Sequence, residues 1–136
     1  MNRDRLIEDL KRDEGMRTNL YRDTVGKQTI GVGRNIDDRG ISIAEAEFML
    51  ANDIDNVEAE LNFKIPWWVN MPADAKRALA NMCFNIGWPR LEGFQKMLAA
   101  LKDGNYLKAA DEALDSRWAG QVGARAERIA ALIRSA

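Results

Sequence analysis

The sequence predicts an α+β fold that is predominantly helical, with a small N-terminal lobe built on a β-hairpin and a helical C-terminal lobe. Two observations carry this. Apolar residues recur at helical spacing along most of the chain, and the period changes to strand-like alternation only within residues 20–33. The 136 residues match one domain, and a content of 46% hydrophobic and 30% charged residues belongs to a folded chain rather than a disordered one.

Taken in order, Ile7, Leu10 and Glu14 share one face of a first helix, with Asp9 and Asp13 turned away and Gly15 placed as its cap. That helix is expected to end at Glu14. Asp23-Thr24-Val25-Gly26 has the Asp and Gly of a type I turn, and Thr29-Ile30-Gly31-Val32-Gly33 alternates like a strand, so a short hairpin follows. Ser42-Ile43-Ala44-Glu45 is a capping box opening a helix through Ala46, Leu50, Ile54, Val57 and Leu61, which Pro66 closes. After Pro72, apolar stripes run through Leu79 and Met82, Phe94 and Leu98, Ala109 and Ala113, and Ile129 and Ile133, punctuated by Gly87, Gly104 and Gly120 to Gly123. No repeat or linker is visible. The expectation is a single domain over 1–136, with a hairpin lobe at about 15–60 and a helical lobe at about 61–136 that takes in the N-terminal helix.

Composition narrows the chemistry. The chain has no histidine, which excludes Ser-His and Cys-His nucleophiles, His-ligated zinc and an imidazole base. Cys83 is the single cysteine and lies in an apolar run, where a buried, inert thiol is expected. No cofactor and no metal are expected, and Gly31-Val32-Gly33 is not a nucleotide loop, because Ile36 stands where the third glycine belongs. Residues 1–60 hold 14 Asp and Glu against 9 Lys and Arg, and residues 61–136 hold 7 against 11. The basic half fits nucleic acid, another anionic polymer, or a simple balance of the acidic half. The charged opening segment has no signal-peptide character and no apolar run approaches membrane-spanning length, so synthesis in the cytoplasm is expected.

Three residues in the N-terminal part admit a chemical reading beside a structural one. Glu14 is either a helix-end glutamate, exposed or paired with an arginine, or a carboxyl on an apolar stripe whose desolvation favours the protonated form that a general acid needs. Asp23 is either the first residue of a turn or the second carboxylate of an acid and base pair. Thr29 shares a strand face with Gly31 and Gly33, which reads either as a bent strand or as a bare surface where a bulky chain approaches. Among the aromatics, Trp118 is expected in the core, and at most one of Trp67 and Trp68 can point inward.

Asp13-Glu14-Gly15, Tyr21-Arg22-Asp23-Thr24-Val25-Gly26 and Thr29-Ile30-Gly31-Val32-Gly33 together resemble the catalytic segment of the phage-type lysozymes, the endolysins of glycoside hydrolase family 24. The resemblance continues through Asn81-Met82-Cys83-Phe84-Asn85-Ile86-Gly87 and from Ser116-Arg117-Trp118 to Arg128, nearly the whole chain. It implies a lysozyme-like fold and hydrolysis of the β-1,4 bond between N-acetylmuramic acid and N-acetylglucosamine in peptidoglycan. Glu14 would then be the general acid, with Asp23 and Thr29 holding the attacking water. Arg125 would position the acid, and Asn35 and Phe84 would touch the sugar chain. Inversion is implied too, a route that needs carboxylates about 6.5–9.5 Å apart. Many members have His where this chain has Arg34, which suggests a structural role there.

The resemblance further implies a monomer whose partner is peptidoglycan, with no nucleic acid and no stable membrane association. A separate membrane-permeabilising protein would give the enzyme, made in the host bacterial cytoplasm, access to the wall. Two rivals stand beside this reading. A lytic transglycosylase needs an acid but not the Asp23 and Thr29 pair, and a non-catalytic peptidoglycan-binding module needs none of the three.

Overall fold

A computed structural model describes all 136 residues, and the chain opens with α1 (Arg3–Glu14). Asn2 starts this helix by accepting the Arg5 amide at 3.1 Å, and Gly15 ends it by donating its own amide to the Lys11 carbonyl at 2.9 Å. A small antiparallel sheet follows in the order β1 (Arg17–Arg22), β2 (Gln28–Gly31) and β3 (Arg34–Asn35). The first connection is the expected turn, with the Gly26 amide donating to the Asp23 carbonyl at 3.0 Å.

The second connection corrects the expected strand. The chain does not run extended through Val32 to Gly33; it reverses there, with positive φ at Gly31 (69°) and Gly33 (65°), and returns as β3. Ile30 pairs with Arg34, and Thr29 with Asn35. Two glycines flanking one residue supply the left-handed backbone that a tight reversal needs, so the hairpin becomes a three-stranded meander.

Next come α2 (Ile36–Arg39) and α3 (Ile43–Lys64). The capping box at the start of α3 forms as expected: the Glu45 amide donates to Ser42 Oγ at 3.1 Å and the Ser42 amide donates to Glu45 Oε1 at 2.8 Å. Two compact units divide the chain within this helix, Met1–Phe48 and Met49–Ala136. In the first unit Thr29 is the one buried side chain, so hydrogen-bonded turns and caps, rather than an apolar core, define its local geometry.

The second unit holds the rest of α3, a 3-10 turn (Pro66–Asn70), α4 (Ala73–Ile86), α5 (Trp88–Leu91), α6 (Gln95–Lys102), α7 (Tyr106–Leu114), α8 (Arg117–Val122) and α9 (Ala124–Arg134). Its core closes around Leu61, Leu79, Met82, Leu91, Leu101 and Ile129, with α9 packed against both α4 and α7. Small residues allow that close approach: Ala109, Ala110, Ala113, Ala126 and Ala130 are all buried. Trp118 is buried as expected, donating its indole N–H to Asn85 at 2.8 Å and meeting Phe94 edge to face. Of the adjacent pair, Trp68 is buried and bonded to Asn62 while Trp67 is half-buried. Cys83 is buried, and burial followed by the charge of Glu60 pushes its thiol pKa up. No helix is long and apolar enough to cross a membrane.

Candidate active site

The first unit brings the Asp23 and Thr29 positions together through one backbone group. The Asp23 amide and the Thr29 hydroxyl both donate to the Lys27 carbonyl oxygen, each at 2.9 Å. Asp23 is further fixed by its side chain, whose Oδ1 accepts the Val25 amide at 3.0 Å and the Lys27 amide at 2.8 Å. Two backbone donors on one oxygen hold the carboxylate in a set direction and leave the other oxygen, Oδ2, for a water or a proton.

Thr29 differs from its sequence reading. It is 3% exposed rather than set on an open, bare face, because the chain reversal at Gly31 to Gly33 lays β3 directly beside it. Its hydroxyl proton is committed to Lys27, so the group meets any neighbour as an acceptor.

Glu14 ends α1 at the helix C-terminus and is exposed. The apolar stripe beside it does not desolvate it, since Leu6, Ile7 and Leu10 are themselves 37%, 43% and 43% exposed and no residue of α1 is buried. What lies beside the carboxyl instead is the β2–β3 turn. A methyl group placed on Gly33 would lie 2.7 Å from Glu14 Oε2 and 3.0 Å from its Cδ, well inside van der Waals contact. A side chain at this position would push the carboxyl away from where it sits.

Asn35 makes its bonds within the first turn of α2. Its Oδ1 caps that helix by accepting the Asp38 amide at 3.0 Å, and its Nδ2 donates to Asp38 Oδ2 at 2.8 Å. Phe84 and Arg125 belong to the second unit. There they line a groove of about 730 Å³ with Leu50, Val57, Trp68 and Ala80. Phe84 is 46% exposed in it, and the Arg125 guanidinium donates to the Asn81 side chain at 3.0 Å.

Two features have no counterpart in the sequence pattern. Lys27 serves through its carbonyl, which no side-chain pattern advertises. Arg34 forms a two-pronged ion pair with Glu45, at 3.0 Å and 2.8 Å, and also donates to the Gly40 carbonyl at 3.1 Å. In the sequence Glu45 is legible only as a helix cap. The Arg34 hydrogen bond, then the Ser42 bonds, lower the Glu45 pKa to about 2.

Residues 11–134 match the family described as phage lysozyme, a span that contains Glu14, Asp23, Thr29 and Gly33. Among curated proteins, the chain is 30% identical to probable T4-type lysozyme 2 of Dictyostelium discoideum, over 88% of this chain and 88% of that one. It is 26% identical to probable T4-type lysozyme 1 of the same organism, over 93% and 91%. It is also 28% identical to the pre-baseplate central spike protein Gp5 of Enterobacteria phage T4, over 94% of this chain but only 27% of that longer protein. A carboxyl at a helix end, a second carboxylate fixed in a turn and a threonine tied to that same turn thus occur in a sequence matched along nearly its full length, and the chain belongs to the phage lysozyme family of glycosidases.

Proposed function

We propose that this chain is an endolysin that cleaves the β-1,4 bond between N-acetylmuramic acid and N-acetylglucosamine in peptidoglycan, with inversion at the anomeric carbon. Glu14 donates its proton to the glycosidic oxygen as the bond to the anomeric carbon breaks. A water held by Asp23 Oδ2 and the Thr29 oxygen attacks that carbon from the opposite face and gives its proton to Asp23. Asn35 and Phe84 touch the glycan, and Arg125 positions the acid. The chain acts as a monomeric, single catalytic domain, reaching the wall from the host cytoplasm once another protein has permeabilised the membrane.

The observation that supports this reading best is the shared Lys27 carbonyl, which ties the Asp23 turn and the Thr29 hydroxyl to one point while leaving one oxygen of Asp23 uncommitted.

The test is digestion of purified peptidoglycan with identification of the new ends by mass spectrometry, and proton NMR of the first product to give the anomer. Reducing muramic ends with the α anomer support the proposal. Anhydro ends would assign a lytic transglycosylase, the β anomer would replace inversion with retention, and an intact polymer would leave only a binding module.

A further inference from the structure

We propose that Arg34 and Glu45 are a positioning pair for the general acid, holding the Gly33 turn in place against the Glu14 carboxyl. The proposal rests on the reading of Glu14 as that acid.

The turn has little main-chain support of its own, though α2 beyond it is tied back to β2 by the Gln28 amide on Asp37 at 2.7 Å and by the Lys27–Asp38 pair at 3.1 Å. Its far side is β3, only Arg34 and Asn35, with two pairings to β2. A two-residue strand fixes a reversal poorly, because few ladder bonds oppose its fraying. Yet a Cβ on Gly33 would stand 2.7 Å from Glu14 Oε2, so a shift of that backbone toward the carboxyl changes where it can sit.

Arg34, the residue directly after Gly33, supplies an anchor immediately beside the turn. Its Nη1 donates to the Gly40 carbonyl at 3.1 Å and to Glu45 Oε1 at 3.0 Å, and its Nη2 donates to Glu45 Oε2 at 2.8 Å. The planar fork meets both carboxylate oxygens at once, a geometry that a lysine ammonium cannot reproduce. Glu45 is itself held, since its Oε1 accepts the Ser42 amide at 2.8 Å at the start of the 22-residue helix α3. The turn beside the acid is thereby fastened to a long helix by one side-chain pair. Neither partner needs to touch substrate; Arg34 acts through Gly33. The pair also stays ionised well into acid, as the lowered pKa of Glu45 shows.

Steady-state kinetics on soluble peptidoglycan fragments test this, using Arg34→Gln, Arg34→Lys, Glu45→Gln and the Arg34→Gln/Glu45→Gln double variant, each well below its thermal midpoint. The pair predicts that every single variant loses kcat by roughly 10-fold or more while KM stays within about twofold, the pattern of a misplaced reacting group. It also predicts that Arg34→Lys fails to rescue, and that the double variant is no slower than either Gln variant alone. A merely structural pair would lower the thermal midpoints and leave kcat at the wild-type value in the folded variants, which would overturn the proposal. Should Arg34→Gln not fold, Glu45→Gln carries the same kcat test, because its amide oxygen still accepts from Ser42. Glu14→Gln in the same assay separates the two layers. Full activity there removes the acid reading, whereas an inactive Glu14→Gln beside fully active Arg34→Gln and Glu45→Gln removes the positioning pair alone.

Discussion

Gly33 and Glu14 approach so closely that a Cβ on the glycine would stand 2.7 Å from a carboxylate oxygen. Gly33→Ala must therefore displace the carboxyl and also accept a positive φ of 65°. Left-handed backbone costs an L-residue about 1–2 kcal/mol. Gly26→Ala is the control, with a φ of 86° but open space around the added methyl. Both should melt lower than the parent, while only Gly33→Ala should also lose glycan cleavage when assayed folded.

Asp23→Asn keeps an Oδ1 acceptor for the Val25 and Lys27 amides and removes the ionisable carboxylate. Its thermal midpoint should stay near the parent value while cleavage falls by about 10²- to 10⁴-fold, the usual contribution of a general base. A large drop in midpoint with cleavage retained would make Asp23 a turn residue alone.

Thr29 is buried, so its hydroxyl is a stability element as well as a candidate water ligand. Thr29→Val leaves the Lys27 carbonyl with the Asp23 amide as its one donor and should cost about 0.5–1.5 kcal/mol. Thr29→Ser keeps the donor and should recover most of both stability and activity. Chemical denaturation of the three proteins beside a cleavage assay checks the two readouts together.

Acid stability should show the Arg34–Glu45 pair. The Glu45 carboxyl is held at about 2 against an ordinary 4.5. A lowered folded-state pKa means that the unfolded chain takes up the proton first as pH falls. The stabilisation is complete above about pH 4.5 and is lost as pH drops through the folded value near 2. Glu45→Gln should flatten that part of the stability curve, followed by urea midpoints across the window. Salt should weaken the effect, since the Glu45 side chain is 42% exposed.

Much of this fold is legible in the sequence because the decisive signals are local. Gly15 after Glu14 ends α1, Asp23 and Gly26 make their turn, and Ser42 with Glu45 caps α3, each through groups within four residues of one another. The second reversal is not legible, because Thr29 to Val32 alternates as well in a strand as in a strand that turns. Burial of Thr29 follows from that same reversal. The Arg34–Glu45 pair spans eleven residues and depends on the path through α2, which no periodicity encodes. At Glu14 the wheel places Ile7 and Leu10 correctly on one face, but sharing a face with apolar residues does not bury a carboxyl when those residues are exposed. The roles assigned to Asn35, Phe84 and Arg125 come from family resemblance, and their local partners, Asp38 for Asn35 and Asn81 for Arg125, emerge only with the structure.

The most direct measurement is the rate at which Glu14→Gln releases reducing ends from purified peptidoglycan, with circular dichroism to establish that it is folded. Glutamine preserves size at this position and cannot donate a carboxylic proton, so a folded and inactive variant is the predicted result. A folded Glu14→Gln protein that cleaves at the parent rate would contradict the assignment of Glu14 as the general acid.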